Sequence, residues 1–121
     1  MSKSSAPPWT PPTSEALPLR LLSGRRRPRA VFCWTDYVAF EVIGVAKELG
    51  LSVSEDVAFV GYDNTHYCAL PQHSLTSVGQ PGQLQGMQAT RLLLERIEGR
   101  KAPEHFAIEP IQVVRDCSLG S

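Results

Sequence analysis

The sequence predicts an α/β fold built on a parallel sheet. Residues 30–34 (AVFCW) and 57–61 (VAFVG) are short, continuous apolar runs, which is the pattern of strands covered on both faces. Between them, Val38, Val42, Val45 and Leu49 recur at helical spacing and form one apolar stripe. Strand, helix and strand in this order make a βαβ unit, whose connection we expect to be right-handed.

The N-terminal segment predicts a leader followed by a short helix. Residues 1–14 are rich in proline, which fixes φ and has no N–H to donate, so we expect a disordered leader. Residues 15–24 predict a helix that Ser14 caps and Gly24 ends. The predicted organisation is a leader at 1–14, one partial domain at 15–118 and a tail at 119–121.

The helix between the two strands has clear signals at both ends. Thr35 or Asp36 supplies an N-cap side chain. Gly50 followed by the apolar Leu51 is typical of a Schellman ending.

The remainder of the chain predicts a loop, one long helix and short strands. We expect an irregular loop at 62–74 with a helical turn near 66–70, and a strand at 75–78. A helix should span 83–98, with Ala89, Leu93 and Ile97 as its apolar stripe. Two short strands, at 106–109 and 111–115, should flank Pro110.

Charge and cysteine content exclude several classes of protein. The formal net charge is zero, but residues 1–29 hold half of the basic side chains and one acid, so the rest is mildly acidic and unsuited to binding phosphates. The three cysteines form no CxxC pair, which argues against a disulfide framework or a zinc site and fits a cytoplasmic protein. Neither a secretory signal nor a span long enough for a membrane is evident.

Several motifs, in one order and spacing, resemble the LacI/GalR family of bacterial transcription regulators. The stretch FCWTDYVAFEVIGVAKELGLSVSEDVAFVGYDNT is similar to the signature of that family. LTSVGQP and the terminal VVRDCS continue the match over residues 15–118. The resemblance implies the C-terminal part of an effector-binding domain of the periplasmic-binding-protein type, in which two α/β subdomains enclose a cleft.

The resemblance also implies the kind of function. We expect a module that senses a sugar or purine-like effector, forms a homodimer, and reaches DNA only through a helix-turn-helix that this chain lacks. It should not be an enzyme, and we expect no cofactor, metal or membrane partner.

Three polar residues are the expected ligand contacts. Asp63 follows the second strand, at the sheet edge where α/β proteins bind ligands. The resemblance implies that its carboxylate accepts hydrogen bonds from sugar hydroxyls or purine N–H groups, although it could instead cap the next turn. Thr35 and Asp36 follow the first strand and either contact the ligand or cap the helix. Trp34 could stack on a sugar, but an apolar strand favours a core position.

Two further groups of residues are expected at interfaces. The resemblance implies a dimer contact on one helix face and the following loop, and a hinge at the crossover between subdomains. The alternative for the helix residues is packing on elements outside this chain. The dimer residues are Phe40, Ile43, Tyr67 and Leu70, and the hinge residues are Thr76, Ser77 and Gln80.

Other interpretations remain open or are disfavoured. A periplasmic sugar-binding protein of an ABC transporter shares the fold, and a truncated, non-functional fragment would expose strand edges. An enzyme is disfavoured because no Gly-rich phosphate loop opens a helix. His66 and Cys68 lack the further groups that a metal site or a nucleophile requires. The arginines at 25–29 favour a solvated loop over a nucleic-acid surface.

Overall fold

A computed structural model describes residues 16–120 of the chain. The expected leader at 1–14, the Ser14 cap and the last residue of the expected tail therefore lie outside the described residues. Within them, the fold is a four-stranded sheet flanked by helices. In chain order the elements are α1 (Ala16–Ser23), β1 (Ala30–Phe32), α2 (Asp36–Glu48), β2 (Ala58–Tyr62), β3 (Thr76–Gly79), α3 (Gly82–Ile97) and β4 (Ile111–Val113), with 3₁₀ turns at His66–Ala69 and Asp116–Ser118.

The sheet confirms the predicted α/β class. Its strand order is β1-β2-β3-β4, the first three strands are parallel, and β4 runs antiparallel to β3. Phe32 pairs with Val60, and Val60 pairs with Thr76, so the carboxyl ends of β1, β2 and β3 meet at one edge. The segments that leave these strands are therefore brought together.

The helix α2 has the ends that the sequence predicts. The hydroxyl oxygen of Thr35 accepts a hydrogen bond from the Val38 N–H at 3.3 Å. At the other end, Gly50 has a φ of 75°, and the Leu51 N–H donates to the Ala46 carbonyl at 2.9 Å. This is the Schellman motif, in which glycine supplies the left-handed conformation.

One apolar core lies between α2 and the sheet. Phe59 and Val57 are fully buried near the middle of the sheet, and Val42 and Ala46 cover them from α2. Leu22 of α1 completes this side. The cysteines Cys33, Cys68 and Cys117 are all buried in the same cluster.

Strand β1 is exposed, contrary to the expectation of a strand covered on both faces. It lies at the edge of the sheet, and Phe32 is 65% exposed. Trp34 is 76% exposed, so its expected core position is also wrong. The apolar run correctly indicated a strand, but apolarity alone does not say whether another element covers it.

The C-terminal half differs from expectation in two places. Helix α3 forms as predicted, but none of its residues Gly82–Ile97 is buried, and its stripe residues Leu93 and Ile97 are 61% and 73% exposed. Residues 106–109, which the structure describes, do not form the predicted strand. Among the described residues the outer edge of β4 is free, but Pro110 alone separates this segment from β4, and one residue is too short a connection for a hairpin.

Gly61 on β2 lies directly against the first turn of α2. A Cβ atom at this position would overlap Oδ1 of Asp36 and lie 3.1 Å from Cδ2 of Leu75. Asp36 is fully buried, so the helix start cannot move aside without disturbing the core. Glycine is therefore required by space at this position.

We predict that Gly61→Ala lowers the free energy of unfolding by about 1–3 kcal/mol, because it overpacks a closed contact. Gly44→Ala is the matched control, since nothing lies within 4 Å of a Cβ there and the position is inside α2. That change should raise stability by about 0.5–1 kcal/mol. Urea denaturation of both variants measures the difference, and equal effects would contradict the close packing at Gly61.

Candidate functional site

Asp63 lies immediately after β2, at the edge where the parallel strands end. Its backbone N–H donates to the Val78 carbonyl at 2.8 Å, which holds the residue beside β3. Its side chain is exposed, and within residues 16–120 the carboxylate has no hydrogen bond or ion pair. The alternative role predicted for this carboxylate, capping the next turn, is therefore not what the structure shows.

The backbone at this position is in an unusual conformation. Asp63 has a φ of 100° and Asn64 a φ of 49°. Non-glycine residues rarely adopt positive φ, although Asp and Asn do so more often than others. Such a conformation persists where the surroundings hold it, and it is found preferentially at functional sites.

The turn formed by residues 63–65 is fixed by a hydrogen bond from each of its amides. The Asn64 N–H donates to Oγ of Ser77 at 3.0 Å, and the Thr65 N–H donates to Oδ2 of Asp36 at 2.7 Å. Together with the bond from Asp63 to Val78, these connect the turn to both β3 and α2.

Asp36 is a fully buried carboxylate at the first turn of α2. Oδ1 accepts a hydrogen bond from the Ser77 hydroxyl at 2.5 Å, while Oδ2 accepts the one from Thr65. Neighbouring Thr35 is half-buried and its oxygen caps α2. Asp36 is therefore enclosed, whereas Thr35 still has a hydroxyl hydrogen to donate.

The expected hinge residues lie on or just after β3. Thr76 and Ser77 are fully buried, and Gln80 is exposed and donates from Nε2 to the Tyr62 hydroxyl at 2.9 Å. The Thr76 hydroxyl oxygen accepts a bond from the Arg115 N–H at 2.7 Å. The crossover is thus joined to the C-terminal segment as well as to the turn at 63–65.

Arg115 and Asn64 have roles that the sequence analysis missed. The Arg115 guanidinium donates from Nη1 to the Leu75 carbonyl at 2.7 Å and from Nη2 to Oδ1 of Asn64 at 2.9 Å. In the sequence, Asn64 and Arg115 stand out only as parts of the longer motifs that end in GYDNT and VVRDCS. The available signal was a single arginine directly after the strand-like stretch IQVV at 111–114, where a partner would be needed.

The residues expected at a dimer contact differ in how much surface they expose. Ile43 is 5% exposed and belongs to the core of this chain, so neither a partner nor missing elements are needed to bury it. Phe40 is half-buried, with its ring 4.6 Å from that of His73. Leu70 is half-buried, whereas Tyr67 is 42% exposed beside His66. Tyr67 therefore offers the most surface.

Two of the buried thiols, Cys33 and Cys68, are not suited to nucleophilic chemistry. Burial, assisted by the neighbouring Asp36, raises the pKa of Cys68 to about 11. Burial also raises the pKa of Cys33 to about 11. Residues 16–120 contain no cluster of three or more His, Cys, Asp or Glu side chains that could hold a metal, and none of their helices is long and apolar enough to cross a membrane.

A wide hollow lies along α3 and is lined by residues from Gly82 to Glu98. Asp63, Thr35 and Asp36 do not line it. The hollow is the exposed flank of an unpacked helix, so the sheet edge and this hollow are separate features.

Comparison with known proteins identifies the family. A model of the periplasmic binding protein-like domain matches residues 4–118. The chain belongs to this family. The HTH-type transcriptional repressor PurR of Pectobacterium carotovorum is 37% identical over 97 residues. That match covers 79% of this chain and 28% of the repressor, so the chain spans less than a third of this relative's length.

Solved structures of LacI-type regulators share the fold. A LacI transcriptional regulator from a Rhodococcus species superposes with a TM-score of 0.79 at 26% identity, covering 87% of this chain and 39% of that one. A LacI-family regulator from Lactobacillus casei with bound sucrose gives 0.73 at 28% identity, covering 86% and 39%. The predicted resemblance is confirmed: this periplasmic binding protein-like chain corresponds to part of the effector-binding domain of LacI-type regulators.

We predict that Cys33 and Cys68 react slowly with a disulfide reagent in the native protein. A thiol with a pKa of about 11 is a thiolate in about one molecule per thousand at pH 8, and only the thiolate attacks. The rates of Cys33 and Cys68 should therefore rise about tenfold per pH unit between pH 8 and 10. Stopped-flow absorbance with and without denaturant measures this.

The control is Glu98→Cys, which places a thiol on the exposed C-terminal end of α3. This fourth thiol should react in the native protein as fast as a thiol of the unfolded chain. Native Cys33 and Cys68 reacting at that same rate would contradict their burial.

Proposed function

We propose that this chain is the effector-sensing part of a LacI-type transcription regulator and that it binds a small polar molecule at Asp63 and Thr35. The observation that carries the proposal is the Asp63 carboxylate, which is exposed and without a side-chain partner in the described part of the chain. It stands at the carboxyl edge of parallel strands, the usual ligand position in such sheets.

The chemistry of Asp63 favours a ligand with paired hydrogen-bond donors. A carboxylate accepts two donors at once, in charge-assisted bonds stronger than those between neutral groups. Sugar hydroxyls and purine N–H groups both provide such donors. The positive φ of Asp63 costs about 1–3 kcal/mol, which supports a role for this residue other than stability.

Thr35 and Asp36 would serve the site in different ways. The Thr35 hydroxyl keeps a free hydrogen that can be donated to a ligand oxygen, because the cap uses only its oxygen. The enclosed carboxylate of Asp36 instead holds the Asp63 turn through Thr65. We therefore assign ligand contact to Asp63 and Thr35 and a positioning role to Asp36.

The relatives support the class of function. The Lactobacillus casei regulator is a sucrose-bound structure, which favours a sugar over a purine as the first ligand to test. The relatives named above are regulators and repressors rather than enzymes, so we propose sensing without covalent chemistry. Effector binding would shift the population between two states of the domain.

The proposal extends to DNA binding, dimer formation and the hinge of the whole regulator. DNA binding would come from a helix-turn-helix outside this chain, and the working protein would be a cytoplasmic homodimer. Tyr67, with Phe40 and Leu70, would contribute to the dimer contact, and Thr76, Ser77 and Gln80 would form the hinge.

We predict that a sugar or a purine base raises the melting temperature of the full chain in a thermal-shift screen at millimolar concentration. Any ligand that binds only the folded state stabilises it by mass action. In Asp63→Asn the shift should fall to less than half, because the amide is uncharged and has an NH2 donor in place of one of the two acceptor oxygens. Without ligand this variant should be at least as stable, since Asn tolerates positive φ well.

Glu48→Gln is the matched control, because it removes one exposed carboxylate at the far end of α2. Its ligand-induced shift should equal that of the original chain. An undiminished shift in Asp63→Asn would remove Asp63 from the site, and the absence of any shift across the panel would contradict ligand binding by this chain.

We further predict that the chain self-associates and that Tyr67→Glu weakens the dimer at least tenfold in sedimentation experiments, since a charge would enter an apolar contact. Leu93→Glu, on the exposed face of α3, should leave the dimer unchanged. If Leu93→Glu has the larger effect, association occurs through α3 and the proposed contact is wrong.

A further inference from the structure

We infer that Arg115 is a positioning residue for the proposed ligand site and that it couples β3 to the Asp63 turn. This inference rests on the proposed function, because it concerns how that site is regulated. Its basis is one guanidinium that bonds both the residue preceding β3, Leu75, and the second residue of the turn, Asn64.

The turn depends on its neighbours, β3 and α2, to keep its shape. Asp63 and Asn64 have positive φ, so the backbone does not favour this conformation by itself. The Asp63 and Asn64 amides donate to Val78 and Ser77, both on β3. A displacement of β3 relative to β2 would therefore also displace Asp63, whose carboxylate is the proposed ligand contact.

The side chain of Asn64 packs against β3 and accepts a hydrogen bond from Arg115. A Cβ atom at Gly79 would lie 2.8 Å from Cβ of Asn64, so the turn packs against the backbone of β3. Nη2 of Arg115 donates to Oδ1 of the same side chain at 2.9 Å. The Arg115 N–H donates to the Thr76 hydroxyl oxygen at 2.7 Å, and the Thr76 hydroxyl donates to the Arg115 carbonyl at 3.0 Å.

These contacts join three segments that are distant in sequence. The bond from Arg115 to Asn64 spans 51 positions, and that from Arg115 to Leu75 spans 40. Since both arms belong to one planar group, β3 and the turn move together as long as Arg115 is in place. A ligand bound at Asp63 would then favour one position of β3, and the position of β3 would set the affinity.

The test uses the ligand-free chain, so it can be read even if the ligand proposal fails. Hydrogen exchange followed by NMR reports on the amides of Asn64 and Thr65, with the Val42 amide of α2 as an internal reference. In Arg115→Met these two turn amides should exchange about ten to a hundred times faster, the effect of losing a hydrogen bond to a charged group. Arg115→Lys should behave like Arg115→Met, since an ammonium lacks the two-armed fork.

Variants of Asn64 show whether the pair itself is responsible. Asn64→Gly keeps the left-handed backbone but removes the acceptor, whereas Asn64→Asp keeps an acceptor of the same shape. We expect faster exchange in the first and native exchange in the second. The combination of Asn64→Gly and Arg115→Met should be no faster than the faster single variant, because both remove the same bond.

Three results would overturn the inference. These are native exchange of both turn amides in Arg115→Met, acceleration of the Val42 amide by the same factor, and additive effects in the double variant. If Arg115→Met does not fold, the comparison of Asn64→Gly with Asn64→Asp decides alone. Native amide exchange in Arg115→Met, together with a ligand-induced rise in melting temperature, would overturn this inference and leave the proposed function intact. Faster exchange without any ligand-induced rise would have the opposite meaning.

Discussion

The buried carboxylate of Asp36 fixes the relative positions of the elements around the sheet edge. It stands at the first turn of α2, and its two oxygens accept hydrogen bonds from β3 and from the turn after β2. A buried carboxylate without such partners would carry a large desolvation penalty, so the three segments must meet there. Gly61 makes this possible, because any side chain on β2 at that position would occupy the space of the carboxylate.

The same arrangement explains how a strained residue can be maintained at the edge. The turn at 63–65 has each of its amides bonded to a neighbouring element, which offsets the cost of two successive positive φ angles. The carboxylate of Asp63 is thereby presented outward while the backbone behind it is satisfied. The amides of the turn face inward and stabilise it, whereas the Asp63 carboxylate faces outward and remains available to a ligand.

The elements set by local signals were predictable from the sequence. The Thr35 cap and the Gly50 ending give α2 its bounds within one residue of the prediction, because both signals act within a few positions. Strand β2 and the 3₁₀ turn at His66–Ala69 were likewise close to expectation. By contrast, the burial of β1 was predicted wrongly, and the apolar stripe of α3 is exposed, since an apolar pattern shows what could be buried and not whether a partner is present.

The candidate site was predictable in part for the same reason. Asp63 could be singled out because it follows an apolar strand directly, and that position needs no long-range information. The pairing of Asp36 with Ser77 and of Asn64 with Arg115 spans 41 and 51 positions, and periodicity or spacing carries no trace of such contacts. The sequence also places Ile43 off the α2 stripe, yet the structure buries it in the core, because the sheet and the loop after β2 enclose more of the helix than one stripe.

The left-handed backbone at residue 63 has an evolutionary consequence. If folding were the sole requirement there, glycine or asparagine would serve better than aspartate, so drift in a gene released from its role should replace the acid early. The identity of this one residue across related genes would then act as a record, distinguishing lineages that kept a working sensor from those that retained only the scaffold.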